Sequence, residues 1–599
     1  MAAGVFGFRP PGRIERATST RLRILCMLGV ALILSGVVWS RLAYWQVLRH
    51  AQLSEQAAAQ YHELVELPAT RGAIFDRNMV QLVVNTTVYS AFVSPDQVPA
   101  AQRDQVASAL SKVLGVDRSS IMDTLSSTRK FAYILRRFSK DKADHLRAMK
   151  LPGVGLEEEQ QRSYLPSNTI SESLAANLLG FVTYDGQGQY GLEANYQSVL
   201  AGTPGYISSY RDLANREIVL GTHTHQDPVP GSALVTSIDA NIQYLAEQAL
   251  AAGVKRAKGE SGSVLIMDPK TGGIVAWADY PSYNANNFTR TPTALFKDNV
   301  LGYVYEPGSV MKVVTLAGAI DAGKIKPSTV IDDPGALYIG GYRIADWDGA
   351  NHGKINYTYV LAHSLNVGAM KAMLAEGHGS FYRYLQSFGL TQASGIDVAG
   401  ESFVAPPPSN KMAASQYATT AFGQGIDVNM VQMLSAINVI ANGGKYAPPH
   451  VVERIGNKIN PVMLQPQRQV VSAATAKQMT QMMEAVVQNG SGFTSRVPGF
   501  ELNQAGKTGT SQIPVNGKYT QNVWASFVGF LPANHPRFTM IVVVRKPHAP
   551  GSNLDWTLND GYITAGADLA EDRPGNGGQL AHSAKQITAP AVPTGGAQR

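Results

Sequence analysis

The longest apolar run lies near the start of the chain, where Ile24 to Ser40 carries no charge and Leu, Ile, Val and Ala dominate. With the flank Leu42-Ala43-Tyr44-Trp45 it approaches the roughly 20 residues a helix needs to span a bilayer. Arg9, Arg13, Arg16, Arg21 and Arg23 precede it, an excess that predicts a cytoplasmic N-terminus, with everything after Trp45 outside. Val38-Trp39-Ser40-Arg41 is bulky and charged where signal-peptide cleavage needs small residues, so the run reads as an uncleaved anchor over 24–45, behind cytoplasmic residues 1–23. Leu48 to Glu63, rich in Ala, Gln and Glu, reads as a helix or stalk. A mixed segment follows to Gln226, with a strand over Val88 to Val93 and a helix over Gln102 to Leu114. From Gly231 the pattern tightens. Ala233 to Ile238 reads as a strand, and Asp239 caps a helix carrying Ile242, Leu245, Ala249 and Leu250. Val264 to Met267 and Ile274 to Tyr280 flank a turn, as do Trp524 to Leu531 and Phe538 to Val544, while the intervening sequence is largely helical. The expected architecture is an antiparallel sheet whose helices are inserted between an early hairpin and a late one. From His548 the chain is Gly-, Asn-, Asp- and Pro-rich, and Ala589 to Arg599 has no apolar period, which predicts a mostly disordered tail over 548–599.

With 599 residues, 44% of them hydrophobic, the chain has enough apolar material for more than one core, and 16% charged residues is too few for a disordered protein. The expected division is a pedestal over 46–226 and a second domain over 227–547. The sole cysteine, Cys26, lies in the anchor, which excludes a thiol nucleophile and internal disulfides in the exported part. A net charge of +7 is modest at this length, and with no lysine run or nucleic-acid motif it argues against nucleic acid as a partner. The tight histidine pair in Gly221-Thr222-His223-Thr224-His225 has no His-Glu-x-x-His or cysteine set beside it and reads as a loop, so no metal or other cofactor is expected.

The candidate chemistry lies in three strings in one order: Ser309-Val310-Met311-Lys312, Ser364-Leu365-Asn366 and Lys507-Thr508-Gly509-Thr510. Each alone is weak. Ser-x-x-Lys recurs at Ser127 to Lys130 and Ser139 to Lys142, and Lys270-Thr271-Gly272 sits in the early hairpin turn. Glu306-Pro307-Gly308 breaks the chain, and Val310, Val313, Val314 and Ala317 then recur at helical spacing to Gly323, so Ser309 opens a helix. There its own N–H is available to an oxyanion, and Lys312 lies one turn on, on the same face. A serine hydroxyl needs a partner to take its proton, and a lysine serves only if burial and neighbours lower its pKa; Lys507 would be such a neighbour. Ser364 can bridge a proton, the Asn366 amide can hold a peptide, and Lys507 with Thr508 and Thr510 offers donors for a carboxylate. His363, beside Ser364, would diverge from it by about 100° on a helix and reads as structural. Arg71, Asp76, Arg77 and Glu193 read as charge-assisted hydrogen bonds tying the pedestal together.

The trio resembles that of the penicillin-recognising serine enzymes, the class A β-lactamases and penicillin-binding proteins. Its flanks resemble class B penicillin-binding proteins: Tyr305-Glu306-Pro307-Gly308-Ser309, Phe422-Gly423-Gln424-Gly425 followed by Gln432 and Asn442-Gly443-Gly444, and upstream Arg71 to Asn78, Gly191-Leu192-Glu193 and Leu200 to Gly205. The likeness runs from about Thr70 to Pro547. The second string is Ser-Leu-Asn, not the Ser-Asp-Asn of class A β-lactamases, and Gly577 to Ile587 only loosely resembles the family's closing helix. The resemblance implies a mixed α/β chain: one transmembrane helix, an irregular α+β pedestal of dimerisation type, and a serine β-lactamase-like transpeptidase domain with a central antiparallel sheet covered by helices. It further implies a peptidoglycan D,D-transpeptidase of the cell-division branch in the inner membrane, acting through an acyl-enzyme on Ser309. Lys312, Ser364, Asn366 and Lys507 would be catalytic, and Thr508, Gly509 and Thr510 would bind substrate. Implied partners are stem peptides of nascent, lipid II-derived glycan, β-lactams, a membrane glycosyltransferase and division proteins. Other readings stay open: an elongation-branch transpeptidase, a carboxypeptidase or β-lactamase, and a non-catalytic scaffold or β-lactam sensor.

Overall fold

The structure, a computed structural model, describes residues 14–53, 62–167, 172–210, 224–496 and 503–548. Arg9, Arg13, His223 and the expected tail and closing helix beyond His548 lie outside the described residues. The described chain forms two compact units, one of residues up to Ala69 with Thr203–Val229, the other of Thr70–Gly202 with the chain from Pro230 on.

In the first unit, a helix over Ile14–Ala43 continues as a five-residue π-helix, Tyr44–Leu48. Its stretch Thr20–Leu48 is apolar, wholly exposed and 29 residues long. At 1.5 Å per residue this is about 43 Å, more than the ~30 Å hydrocarbon core, so the helix is long and apolar enough to cross a membrane. Tyr44 and Trp45 meet edge to face at 5.7 Å, with the Arg49 guanidinium 5.4 and 5.5 Å from the two rings, an aromatic and basic belt suited to a lipid interface. The expected stalk helix does not reach Glu63. His62–Leu67 is a strand, paired antiparallel with Gly205–Tyr210, a long-range partner that no local helix propensity reports.

In the second unit, a seven-stranded sheet joins Ile74–Phe75, the 13-residue strand Gln81–Val93, Ala132–Phe138 and Val154–Tyr164 to Leu234–Thr236, Val452–Ile455 and Lys458–Ile459. Beside it lies a buried ion cluster. Glu193, fully buried, accepts from Arg71 Nε at 2.7 Å and Arg162 Nε at 2.7 Å, while Asn85 bridges Arg71 O and Arg162 Nη1. Asp76 takes the N–H groups of Asn78 and Val80 on one oxygen and that of Ala240 on the other. The tie expected of Arg71, Asp76 and Glu193 is therefore present, whereas Arg77 is exposed and contributes its backbone N–H, to Ile238 O. Removing the shared acid strands two buried cations. We expect Glu193→Ala to lower unfolding free energy by about 4 kcal/mol, read from denaturant melts of the full chain in detergent, and Glu193→Gln to lose less.

The second sheet is antiparallel throughout and has five strands: β1 (Ser261–Met267), β2 (Ile274–Tyr280), β3 (Ala505–Val515), β4 (Lys518–Leu531) and β5 (Phe538–Arg545), in the order β2-β1-β5-β4-β3. Strands β1, β2 and β5 are buried almost throughout and largely apolar because both faces are covered. Leu265, Met267, Phe530 and Ile541 enter one core, and the alternate positions Val264, Ile266, Phe527 and Val542 enter another. Helix α1 (Ala240–Ala257) packs Ala246, Leu250 and Val254 into that second core, and Asp239 caps it through the N–H groups of Asn241 and Ile242. The helices between β2 and β3 fill the first core, as expected of an early and a late hairpin.

Candidate active site

Helix α2 (Met311–Asp321) is buried on every side from Met311 to Ile320, the mark of a core helix. A 3₁₀ turn, Gly308–Val310, feeds it and carries Ser309. The approach is held from two directions. Gly308, at φ +56°, donates to Gly423 O at 3.0 Å, and a Cβ there would lie 2.5 Å from Thr510 O, so only glycine passes. Glu306 accepts from Gly425 N at 2.7 Å and Tyr519 OH at 3.0 Å, and its carbonyl accepts from Ser511 Oγ at 2.6 Å. The segment Phe422 to Gly425 thus locks the entry to the serine turn onto β3.

Helix α3 (Asn366–Glu376) begins at the second string. The preceding helix ends at Ala362, and Ser364 turns out at φ +60°, a left-handed conformation that a serine adopts only when its surroundings impose it. There its carbonyl accepts from Lys312 Nζ, and its Oγ lies 3.3 Å from Lys312 Nζ and 3.0 Å from Lys507 Nζ. Lys312 Nζ is in turn 3.0 Å from Ser309 Oγ, and Lys507 Nζ is 3.2 Å from Thr508 Oγ1, which meets Ser491 Oγ at 2.8 Å. The result is an unbroken chain of contacts, Ser309–Lys312–Ser364–Lys507–Thr508–Ser491, able to move a proton in either direction.

Both lysines have zero exposure. Burial holds the Lys312 ammonium well below the usual lysine pKa; the positive charge of Lys507 adds to this, and the Asp346 carboxylate opposes it. The decoy strings differ on this point. Lys130, Lys142 and Lys270 are exposed, and Lys270-Thr271-Gly272 is a turn held by Asp268, with Gly272 at φ +82°. Gly509 lies in the buried part of β3, where a Cβ would meet Ser526 Oγ at 2.4 Å, and Thr510 is half-buried beside Gly308.

Two expectations change. His363 does not share a helix with Ser364; it caps the helix that ends at Ala362, its ring lies 4.0 Å from Tyr359, and its carbonyl accepts from Trp347 Nε1. It is structural, for a different reason from the one expected. Asn366 is half-buried, and its Nδ2 donates to Ala345 O at 2.9 Å, so the amide expected to hold a peptide is engaged as a strut. Sequence reasoning missed Asp346 and Ser491, which no fixed spacing ties to the three strings, and the carboxylate role of Glu306, whose partners Gly425 and Tyr519 lie far along the chain.

Residues 262–559 match the family model for the penicillin binding protein transpeptidase domain, and residues 66–236 that for the penicillin-binding protein dimerisation domain. Penicillin-binding protein PbpB of Mycobacterium tuberculosis is 31% identical, over 86% of this chain and 80% of that protein. Peptidoglycan D,D-transpeptidase FtsI of Escherichia coli K12 is 29% identical, over 92% and 91%. The solved structure of penicillin binding protein 3 of Mycobacterium tuberculosis complexed with aztreonam superposes with a TM-score of 0.63 at 26% identity, covering 88% of this chain and 98% of that one.

Proposed function

Because this chain belongs to the class B penicillin-binding protein transpeptidases, we propose that it cross-links peptidoglycan stem peptides through an ester on Ser309. The observation that carries this reading is the contact chain from Ser309 through Lys312 and Ser364 to Lys507. The enzyme is a peptidoglycan D,D-transpeptidase of cell-wall synthesis. Ser309 Oγ attacks the carbonyl of the penultimate D-Ala as its proton passes to Lys312 Nζ. The bond to the terminal D-Ala nitrogen then breaks, and that amine leaves with a proton relayed through Ser364. An amine of a neighbouring stem attacks the ester, gives up its proton along the same path and restores the serine. The N–H groups of Ser309 and Thr510 stabilise the oxyanion; Asn366 holds the peptide, and Lys507, Thr508 and Gly509 receive the terminal carboxylate. A β-lactam opens on Ser309 by the same first step.

The FtsI name of a relative supports a septal role over an elongation role. The exposed apolar helix supports a single inner-membrane anchor, and the arginines before it support a cytoplasmic N-terminus with residues 227–547 outside, above a non-catalytic pedestal over 46–226. A membrane glycosyltransferase and division proteins are the partners this placement calls for.

The test supplies the full chain in detergent with nascent glycan bearing pentapeptide stems. Free D-Ala together with cross-linked stems is the expected result. Free D-Ala with trimmed monomers alone replaces transfer by hydrolysis, and neither product moves the scaffold reading ahead.

A further inference from the structure

Beneath the Ser-Leu-Asn turn lies a pair of acids that the mechanism above does not use. Asp346, 5% exposed, follows the short strand Tyr342–Ala345, and Asp333, fully buried, ends the strand Val330–Asp333. Asp346 Oδ1 accepts the backbone N–H groups of Asn366 and of Val367, the latter at 2.9 Å, and so caps α3. Asp333 Oδ1 accepts from Gly335 N at 2.9 Å, and Gly335 O takes the Asp346 N–H at 2.9 Å, closing the two strand ends on each other. The other oxygen of each carboxyl group, Oδ2, is buried and has no hydrogen-bond partner among the described residues. A buried carboxylate oxygen without a donor is costly, and a proton on Asp346 relieves that cost.

We propose that Asp346 is a positioning residue for the acyl transfer: its carboxyl group holds the start of α3 and thereby keeps the strained Ser364 turn against both lysines. The inference rests on the transpeptidase reading of the site. Its local logic is continuous, since Ala345 O and Asp346 Oδ1 together take three N–H bonds from Asn366 and Val367, and Ser364 is two residues from Asn366. The charged and titratable groups around the pair are few. Lys312 on α2 feels the Asp346 charge, and Lys371 on α3 donates to Asp332 O. His352 gives its N–H to Asp333 O while its ring meets Asp348, and Lys354 lies opposite Asp332 in the strand pair. Burial, with the neighbouring Asp333 carboxylate adding to it, pushes the Asp346 carboxyl up to about 6. A raised carboxyl favours the folded state fully below its unfolded value near 4, and that contribution is lost as pH rises through about 6.

The variants Asp346→Asn and Asp346→Ala separate these roles. Asparagine keeps an acceptor for both N–H groups and offers Asp333 Oδ2 an amide hydrogen that cannot titrate; alanine keeps neither. Using the full chain in detergent and a fluorescent penicillin, we expect Asp346→Ala to acylate about 10- to 100-fold more slowly than wild type while Asp346→Asn stays within about threefold, both with cooperative melts. In parallel, Tm followed from about pH 5 to about pH 8 falls in wild type relative to Asp346→Asn, because only wild type has the Asp346 proton to lose. Wild-type acylation by Asp346→Ala, or a defect in Asp346→Asn as deep as that in Asp346→Ala, overturns the positioning role. Melts of wild type and Asp346→Asn that stay parallel across that range overturn the protonation of Asp346. An unlabelled wild type defeats the acyl-enzyme reading itself, and the melts still judge the pair.

Discussion

Ser309→Ala is expected to abolish covalent labelling of the full chain by a fluorescent penicillin, a fall of at least about 10⁴-fold in acylation rate, and the wild-type adduct is expected to map by peptide mass to the segment containing Ser309. The effect is this large because no other nucleophile stands in the contact chain at the mouth of α2. Ser364 Oγ lies between two lysines, but its turn leaves its carbonyl as well as its hydroxyl engaged with Lys312. Thr508 Oγ1 is paired with Ser491. The turn does not depend on the Ser309 hydroxyl: it is held by Gly308 N on Gly423 O and by Glu306 on Gly425 and Ser511. The bond lost is the one from Lys312 Nζ, which keeps Ser364 as a partner, so the variant should still melt cooperatively within a few degrees of wild type. Residual labelling at another residue would remove Ser309 from the centre of the mechanism.

Lys312→Met should lower acylation by about 10³-fold with the protein still folded, since a thioether of similar length fills a fully buried site at no desolvation cost. The sharper reading is in pH. As the proposed base, Lys312 would take the serine proton only when neutral, so acylation should fall as pH drops through its pKa. Burial, then the charge of Lys507, places that pKa well below the ordinary lysine value, and the acid limb is displaced downward accordingly. Lys507→Ala removes the second cause, and the acid limb should move up in pH, whatever the variant does to substrate affinity. An acid limb that stays in place would separate the two lysines electrostatically and deny Lys312 the role of base. Stability follows the same sign. The unfolded chain binds a proton that folded Lys312 refuses, so stability is greatest above the unfolded value near 10.5 and declines as pH falls towards the lowered one, a slope that Lys312→Met should flatten.

Much of this site was legible without coordinates, and the reason is local. A chain break before an apolar helix fixes where a serine sits on that helix, and a three-residue step fixes where its lysine points. Strand patterns with turn residues between them located β1, β2 and β5 to within three residues, and the second half of β4, whose first six residues were not read as strand. The residues left unread act across long separations. Asp346 meets Asn366 because a short strand returns to the start of α3, and Ser491 meets Thr508 because helix and sheet pack there. Neither pairing leaves a period or a spacing behind.

The amino-acid sequence by itself therefore determined the membrane-length helix, the antiparallel sheet with its inserted helices, the identity and order of the three strings, and the exclusion of a thiol nucleophile. Each of these depends on periodicity, on composition or on short-range spacing, which the chain carries before it folds. Only the tertiary structure decided that Lys312 and Lys507 are both stripped of water within reach of one serine hydroxyl. It also decided that Ser364 is forced into a left-handed turn to stand between them. Desolvation and like-charge repulsion shift a pKa only once groups distant in sequence share one dry site, and folding alone brings them there.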